Sequence, residues 1–135
     1  MSVFLDANIL FSGSNPDSSI HRLLLWLNGK ERLVTSSYTA MEASRNISAK
    51  RPLWEATHKT LMACISIVPD AVLYVEAGLP DKDKPVLAAA IAAKCEYLVT
   101  GDKRDFGHLY GKTIEGVMVV SVLEFAEAMM KKHTT

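Results

Sequence analysis

Short apolar runs alternate along this chain with stretches of helical periodicity, and that alternation narrows the possible folds more than any other feature. Val3-Phe4-Leu5, Leu33-Val34-Thr35, Tyr97-Leu98-Val99-Thr100 and Val117-Met118-Val119-Val120 are continuously apolar rather than alternating. As strands they would be buried on both faces, which is the signature of a parallel sheet with helices packed on each side. Helical spacing fills the intervals. Ile20, Leu23, Leu24 and Leu27 recur at the i, i+3, i+4 period and end at Asn28-Gly29.

The remaining elements follow from local signals. Asn15 to Ser19 is a turn cluster suited to capping the first helix. Ser36 or Ser37 opens a helix that carries Met41, Glu42, Arg45 and Ile47 and is broken by Pro52. A further helix is expected from Leu53 to Ile67, with Leu53, Leu61, Cys64, Ile65 and Val68 on its apolar side, and a short strand from Ala71 to Val75. The polar, proline-punctuated stretch from Gly78 to Pro85 precedes Val86 to Ala93, which is apolar nearly all round and reads as a buried helix. Residues 103 to 116 read as a loop. Ser121-Val122-Leu123-Glu124 matches a capping box for a closing helix. No internal repeat or linker divides the chain, so residues 1–135 read as one domain.

Composition removes several function classes. With 49% hydrophobic residues a sizeable core is available, which excludes disorder. Fifteen basic residues balance fifteen acidic ones, so a general polyanion-coating role is excluded, and nucleic acid would have to meet a local basic patch or a bound cation. Cys64 and Cys95 are too few for a disulfide framework and read as buried small hydrophobes. No run reaches the roughly 18 apolar residues of a membrane span, so the expectation is a soluble cytoplasmic protein. His21, His58, His108 and His133 form no zinc-type spacing.

Acids stand where such a sheet places its sites. Asp6 follows the first strand and opens what reads as a polar loop, Asp6-Ala7-Asn8, and Asp102 follows the strand ending at Thr100. In an open parallel sheet ligands bind beyond the carboxyl ends of the strands, near a topological switch point. Asp83 enters the buried helix and Glu42 lies near the start of its own, so both can reach the same edge. Asp105 could be a fifth member. Several ionised carboxylates in one cleft repel one another and need a cation. A hard divalent ion suits oxygen ligands, can activate water and can neutralise charge on a phosphodiester. Each acid also has a structural reading: Asp6 ending a strand, Asp83 capping a helix, Asp102 in a turn, Glu42 in a capping box with Thr39.

Val3-Phe4-Leu5-Asp6-Ala7-Asn8-Ile9-Leu10 resembles the opening motif of PIN-domain nucleases. Asp83 to Ala90 resembles their third motif and Glu96 to Phe106 their fourth, with the Glu42 helix between, as the second is in the family. The resemblance implies a PIN-like doubly wound α/β sandwich with a parallel sheet of about five strands. It implies a ribonuclease dependent on Mg2+ or Mn2+, akin to the VapC-like toxins of toxin–antitoxin pairs. Asp6, Glu42, Asp83 and Asp102 would then be the metal-binding acids. Asp105 would support them, while Asn8 and Thr100 would orient ligands or water. Ala7 departs from the Thr or Ser often found there, and Asp81 competes with Asp83 for the third position. A small antitoxin protein and a homodimer are the partners it implies.

Lys82, Lys84, Lys103, Arg104, Arg45 and Arg51 could hold RNA phosphates or form a solvated surface. Tyr38 could stack on a base or pack. Trp26, Trp54, Met129 and Met130 read as core. Two other functions compete: a non-catalytic RNA- or protein-binding module on the same fold, and a receiver-like phosphotransfer domain. The latter wants a second Asp two residues after the first, where Asn8 stands.

Overall fold

The computed structural model describes residues 2–134. Strand β1 (Ser2–Leu5) is followed by α1 (Ala7–Gly13), α2 (Ser19–Leu27), β2 (Arg32–Ser36), α3 (Ser37–Lys50), a 3-10 turn (Pro52–Trp54), α4 (Glu55–Ala63) and β3 (Ser66–Val68). Then come α5 (Lys84–Ala92), β4 (Tyr97–Val99), α6 (Lys103–Phe106), a second 3-10 turn (Gly107–Leu109), β5 (Thr113–Ile114), β6 (Val117–Val120) and α7 (Val122–His133). The sheet order is β3-β2-β1-β4-β6-β5. All pairs are parallel except the short β5 edge, which returns against β6. The expected doubly wound α/β sandwich is therefore present, with five parallel strands and one two-residue antiparallel edge.

Strand side chains alternate between two cores. Val3, Leu5, Leu33, Val99 and Val120 face one core, shared with α1, α2, α4 and α7. Phe4, Val34, Leu98 and Val119 face the other, where α5 contributes Val86, Leu87, Ala89 and Ala90. Burial on both faces explains why these strands carry no polar alternation. The small alanines of α5 let that helix lie close to the sheet while buried nearly throughout.

Helix starts follow the side-chain chemistry of their caps. Ser18, Ser36 and Ser121 each accept a backbone N–H of the first turn, and Ser121 with Glu124 completes the expected capping box. Asp6 and Asp102 do the same for α1 and α6. Asp6 ends its strand as expected, and the helix caps that both acids form, beyond the strand-end and turn roles expected of them, fix their positions through the backbone they cap.

Five expectations are corrected. The polar segment after Asp6 is helical from Ala7, because Asp6 caps it and Ile9 and Leu10 point into the core. The helix expected to run to Ile67 ends at Ala63, and Ser66–Val68 is the edge strand β3 beside β2. Ala71 to Val75 is not a strand: Val72 and Tyr74 are almost wholly exposed, so that apolar run has no sheet to join. The stretch 103 to 116 holds α6, a 3-10 turn and β5, and Glu115-Gly116, both at positive φ, make the tight turn into β6. Leu53 and Met130 are exposed and Cys64 is half-buried, whereas Cys95 and Met129 are buried as expected. No helix among the described residues is long and apolar enough to cross a membrane.

Candidate active site

Strand order reverses beside β1, with β2 on one side and β4 on the other. The crevice beyond the carboxyl ends of β1 and β4 is the switch point of the sheet. Asp6 leaves β1 there, its N–H bonded to the Val99 carbonyl at 3.1 Å. Thr100 and Asp102 leave β4 at the same edge. A cleft of about 310 Å³ opens over this edge, lined by Asp6, Asn8, Phe11, Glu42, Asp83 and Asp102, with Asn46, Lys50 and Lys82 on its walls. All four expected metal-binding acids therefore line one cleft.

A hydrogen-bond network fixes the floor. Asp6 Oδ1 accepts the Ala7 N–H at 2.8 Å. Its Oδ2 accepts the Thr100 hydroxyl at 2.8 Å and the Asn8 amide at 3.3 Å. Thr100 Oγ1 in turn accepts the Asp102 N–H at 3.1 Å. Asn8 Oδ1 accepts the Gly101 N–H at 2.7 Å, so its amide is oriented with nitrogen toward Asp6. A Cβ on Gly101 would stand only 3.3 Å from that Asn8 oxygen, which is why a glycine fits there. Asn8 and Thr100 thus tie the ends of β1 and β4 together and set the orientation of Asp6.

The second group of acids is tighter. Carboxylate oxygens of Asp83, Asp102 and Asp105 lie within 4.8 Å of one another. Asp83 is only 8% exposed, and its Oδ2 is buried without a hydrogen-bond partner. It makes no side-chain bond to the helix it precedes, so capping does not explain it. Lys82 Nζ stands 3.1 Å from Asp105 and 3.9 Å from Asp83. Tyr38 packs in the second core and donates its hydroxyl to the Lys82 carbonyl at 2.9 Å, which holds this turn against α3. Asp81 points away, 97% exposed at its side chain and paired with Lys84 at 2.9 Å.

Charge crowding shows in proton affinity. Burial raises the Asp6 carboxyl above its ordinary value, and repulsion from Glu42 and Asp102 adds to it, against hydrogen bonds from Thr100 and Ala7. Burial pushes Asp83 up to about 7, helped by Asp105 and Asp102 and opposed by Lys82. Asp105 moves down through its contacts with Asp83 and Lys82, so the two carboxyls titrate as a pair.

Other expected residues lie elsewhere. Lys103 and Arg104 are exposed on α6, next to Asp102. Lys84 borders a separate apolar hollow with Leu73, Tyr74 and Leu87. Arg45 is on another face of α3, with Met41 and Ser48. Asn46 and Lys50, which belong to no sequence motif, also line the cleft. They stand four and eight residues after Glu42, and helical periodicity applied from that acid would have found both.

Comparison with known proteins agrees with this architecture. The chain matches the solved VapBC2 of Rickettsia felis, bound to a DNA fragment from their promoter, with 18% identity and a TM-score of 0.64 over 90% of this chain and 98% of that one. It matches a PilT N-terminus domain protein of Sulfolobus solfataricus P2 with 12% identity and a TM-score of 0.60, covering 98% of this chain and 97% of that one. No curated protein matches significantly by sequence. The family model of the PIN domain matches residues 2–104, and the chain belongs to the PIN domain family.

Proposed function

We propose that this cleft is the active site of a divalent-metal-dependent endoribonuclease, acting as the toxin of a toxin–antitoxin pair. The observation that carries the reading is the buried Asp83 Oδ2 beside Asp102 and Asp105, which accepts no hydrogen bond and has only the Lys82 ammonium 3.9 Å away. A buried carboxylate oxygen without a donor is costly, and an all-oxygen cluster of this kind suits Mg2+ or Mn2+ rather than a softer metal. Asp83 and Asp102 would hold the ion, with Asp6 and Glu42 lining the same cleft and Asp105 supporting. When bound, the ion would screen the carboxylates, neutralise charge on the phosphodiester and make a water more acidic.

The chain's own residues do the positioning. Thr100 and Asn8 hold Asp6 in one rotamer. Asp102 is held by the α6 backbone it caps. Lys50 and Lys82, on the cleft walls, offer the RNA phosphates positive charge that the acids cannot. Water attacks phosphorus in line, with the cleft carboxylates orienting it and taking its proton. The bond from phosphorus to the 3′-oxygen breaks, and the leaving oxygen takes a proton from solvent, giving a 5′-phosphate and a 3′-hydroxyl. The toxin assignment is supported by the likeness to the Rickettsia felis pair. A small protein partner and a homodimer belong to the same reading.

The test is cleavage of single-stranded RNA with Mn2+ by wild type and by Asp6→Asn. Asn retains the helix cap, so the variant should fold and lose cleavage. Equal cleavage by the two proteins would refute the reading.

A further inference from the structure

The geometry points to a single-stranded RNA binding strip running from the cleft across Phe11 to Trp54, with Lys50 and Arg51 supplying phosphate contacts. It rests on the ribonuclease reading and names how the substrate is held beside the cut. An acidic cleft cannot hold a polyanion by itself, so affinity has to come from its borders. One border is already basic and aromatic. Lys50 and Phe11 line the cleft. The Phe11 and Trp54 rings lie 5.3 Å apart at 58°, so Trp54 is the next surface outward from the cleft.

Trp54, expected in the core, is half-buried and keeps part of its ring at the surface. The 3-10 turn Pro52–Trp54 sets it between α3 and α4, with its N–H bonded to the Arg51 carbonyl at 2.9 Å. Its neighbour Leu53 is 95% exposed. The Arg51 guanidinium lies over the indole at 5.4 Å and also donates to the Lys50 carbonyl at 2.9 Å. A cation–π contact at the surface, such as this one from exposed Arg51 to a half-buried ring, is weaker than stacking of a nucleobase on an indole. A base can therefore take the place of Arg51 on the ring, and the displaced guanidinium then meets the adjacent phosphate. Stacking tolerates any base, so the strip grips the strand without fixing the sequence cut.

The test uses the Asp6→Asn protein with Mn2+ and a short fluorescein-labelled oligoadenylate, so that binding is read without cleavage. Anisotropy should show roughly tenfold weaker binding on adding Trp54→Ala, and a smaller loss with Trp54→Phe. Arg51→Ala should lower the salt dependence of binding by about 0.7 in slope. Tryptophan emission gives a second readout. With Trp26→Phe, leaving Trp54, unlabelled oligoadenylate should quench the signal; with Trp54→Phe, leaving Trp26, it should not. Oligoadenylate that binds while Trp54 stays unquenched and Trp54→Ala binds equally well would overturn the strip and leave that surface to a protein partner. No RNA cleavage by wild type and no oligonucleotide binding would instead bring down the ribonuclease reading, and the strip with it.

Discussion

Replacing Asp83 by Asn should make the metal-free protein more stable, although it removes a proposed ligand. An acid whose pKa in the fold exceeds its free value favours the fold while protonated. For Asp83 that contribution is complete below pH 3.8 and is lost as the pH rises through about 7. A displacement of this size corresponds to about 4 kcal/mol. Because the cleft opens to water, screening leaves roughly half, ~2 kcal/mol. Asn carries no charge, its amide can donate to the neighbouring carboxylates, and no cap is lost, since Asp83 makes no capping bond. Urea denaturation with chelator at about pH 8.5 should therefore show Asp83→Asn more stable by ~2 kcal/mol, with the gap closing toward about pH 4. Thermal melts should show the same order, some 6–10 °C apart by order of magnitude. Adding Mn2+ should raise the wild-type melting temperature and leave the variant nearly unmoved. A variant no more stable than wild type in chelator at alkaline pH would refute the reasoning.

Thr100→Val removes the donor to Asp6 and the acceptor for the Asp102 N–H from a fully buried site. Urea titration should show a loss of about 1–3 kcal/mol, and cleavage should fall at least about tenfold, with Thr100→Ser restoring both. Lys82→Met removes the cation beside Asp105 and Asp83. Calorimetry at alkaline pH, where the carboxylates are ionised, should then show Mn2+ bound roughly three- to tenfold more tightly. Glu31 tests electrostatics far from the cleft: burial favours its neutral form, but Lys132 and His133, each 2.7 Å away, outweigh burial and hold its pKa down. Its stabilisation is present above pH 4.5 and lost as the pH falls through the lowered value. Glu31→Gln should thus cost about 1–2 kcal/mol at neutral pH and progressively less in acid, as measured by urea melts across pH.

Chemistry that depends on few contacts was legible in the residues. Continuously apolar runs identified the parallel strands, because burial on both faces removes alternation. Acids directly after those runs were placed by topology alone, since parallel strands bring their carboxyl ends to one edge. What escaped was structure decided by partners. The run Ala71 to Val75 has strand-like composition, yet β3 is built from Ser66–Val68, which pairs with β2 while the later run lies at the surface. Asp6-Ala7-Asn8 looked like a loop because the side chain that ends the strand also caps the next helix. Lys84 and Arg45 neighbour the acids in sequence, but the helix turn carries one to Asp81 and the other to a different face of α3. Lys50 stands out in no motif, because its closeness to the acids exists only along the helix face.

Crystals soaked in Mn2+, with anomalous diffraction recorded at the manganese edge, put the central claim to its most direct test. The account predicts a peak at coordination distance from the Asp83 and Asp102 carboxylates, one ligand being Asp83 Oδ2, and loss of that peak in Asp83→Asn. Density for manganese only outside this cleft, or a cleft that stays empty at saturating metal, would contradict it.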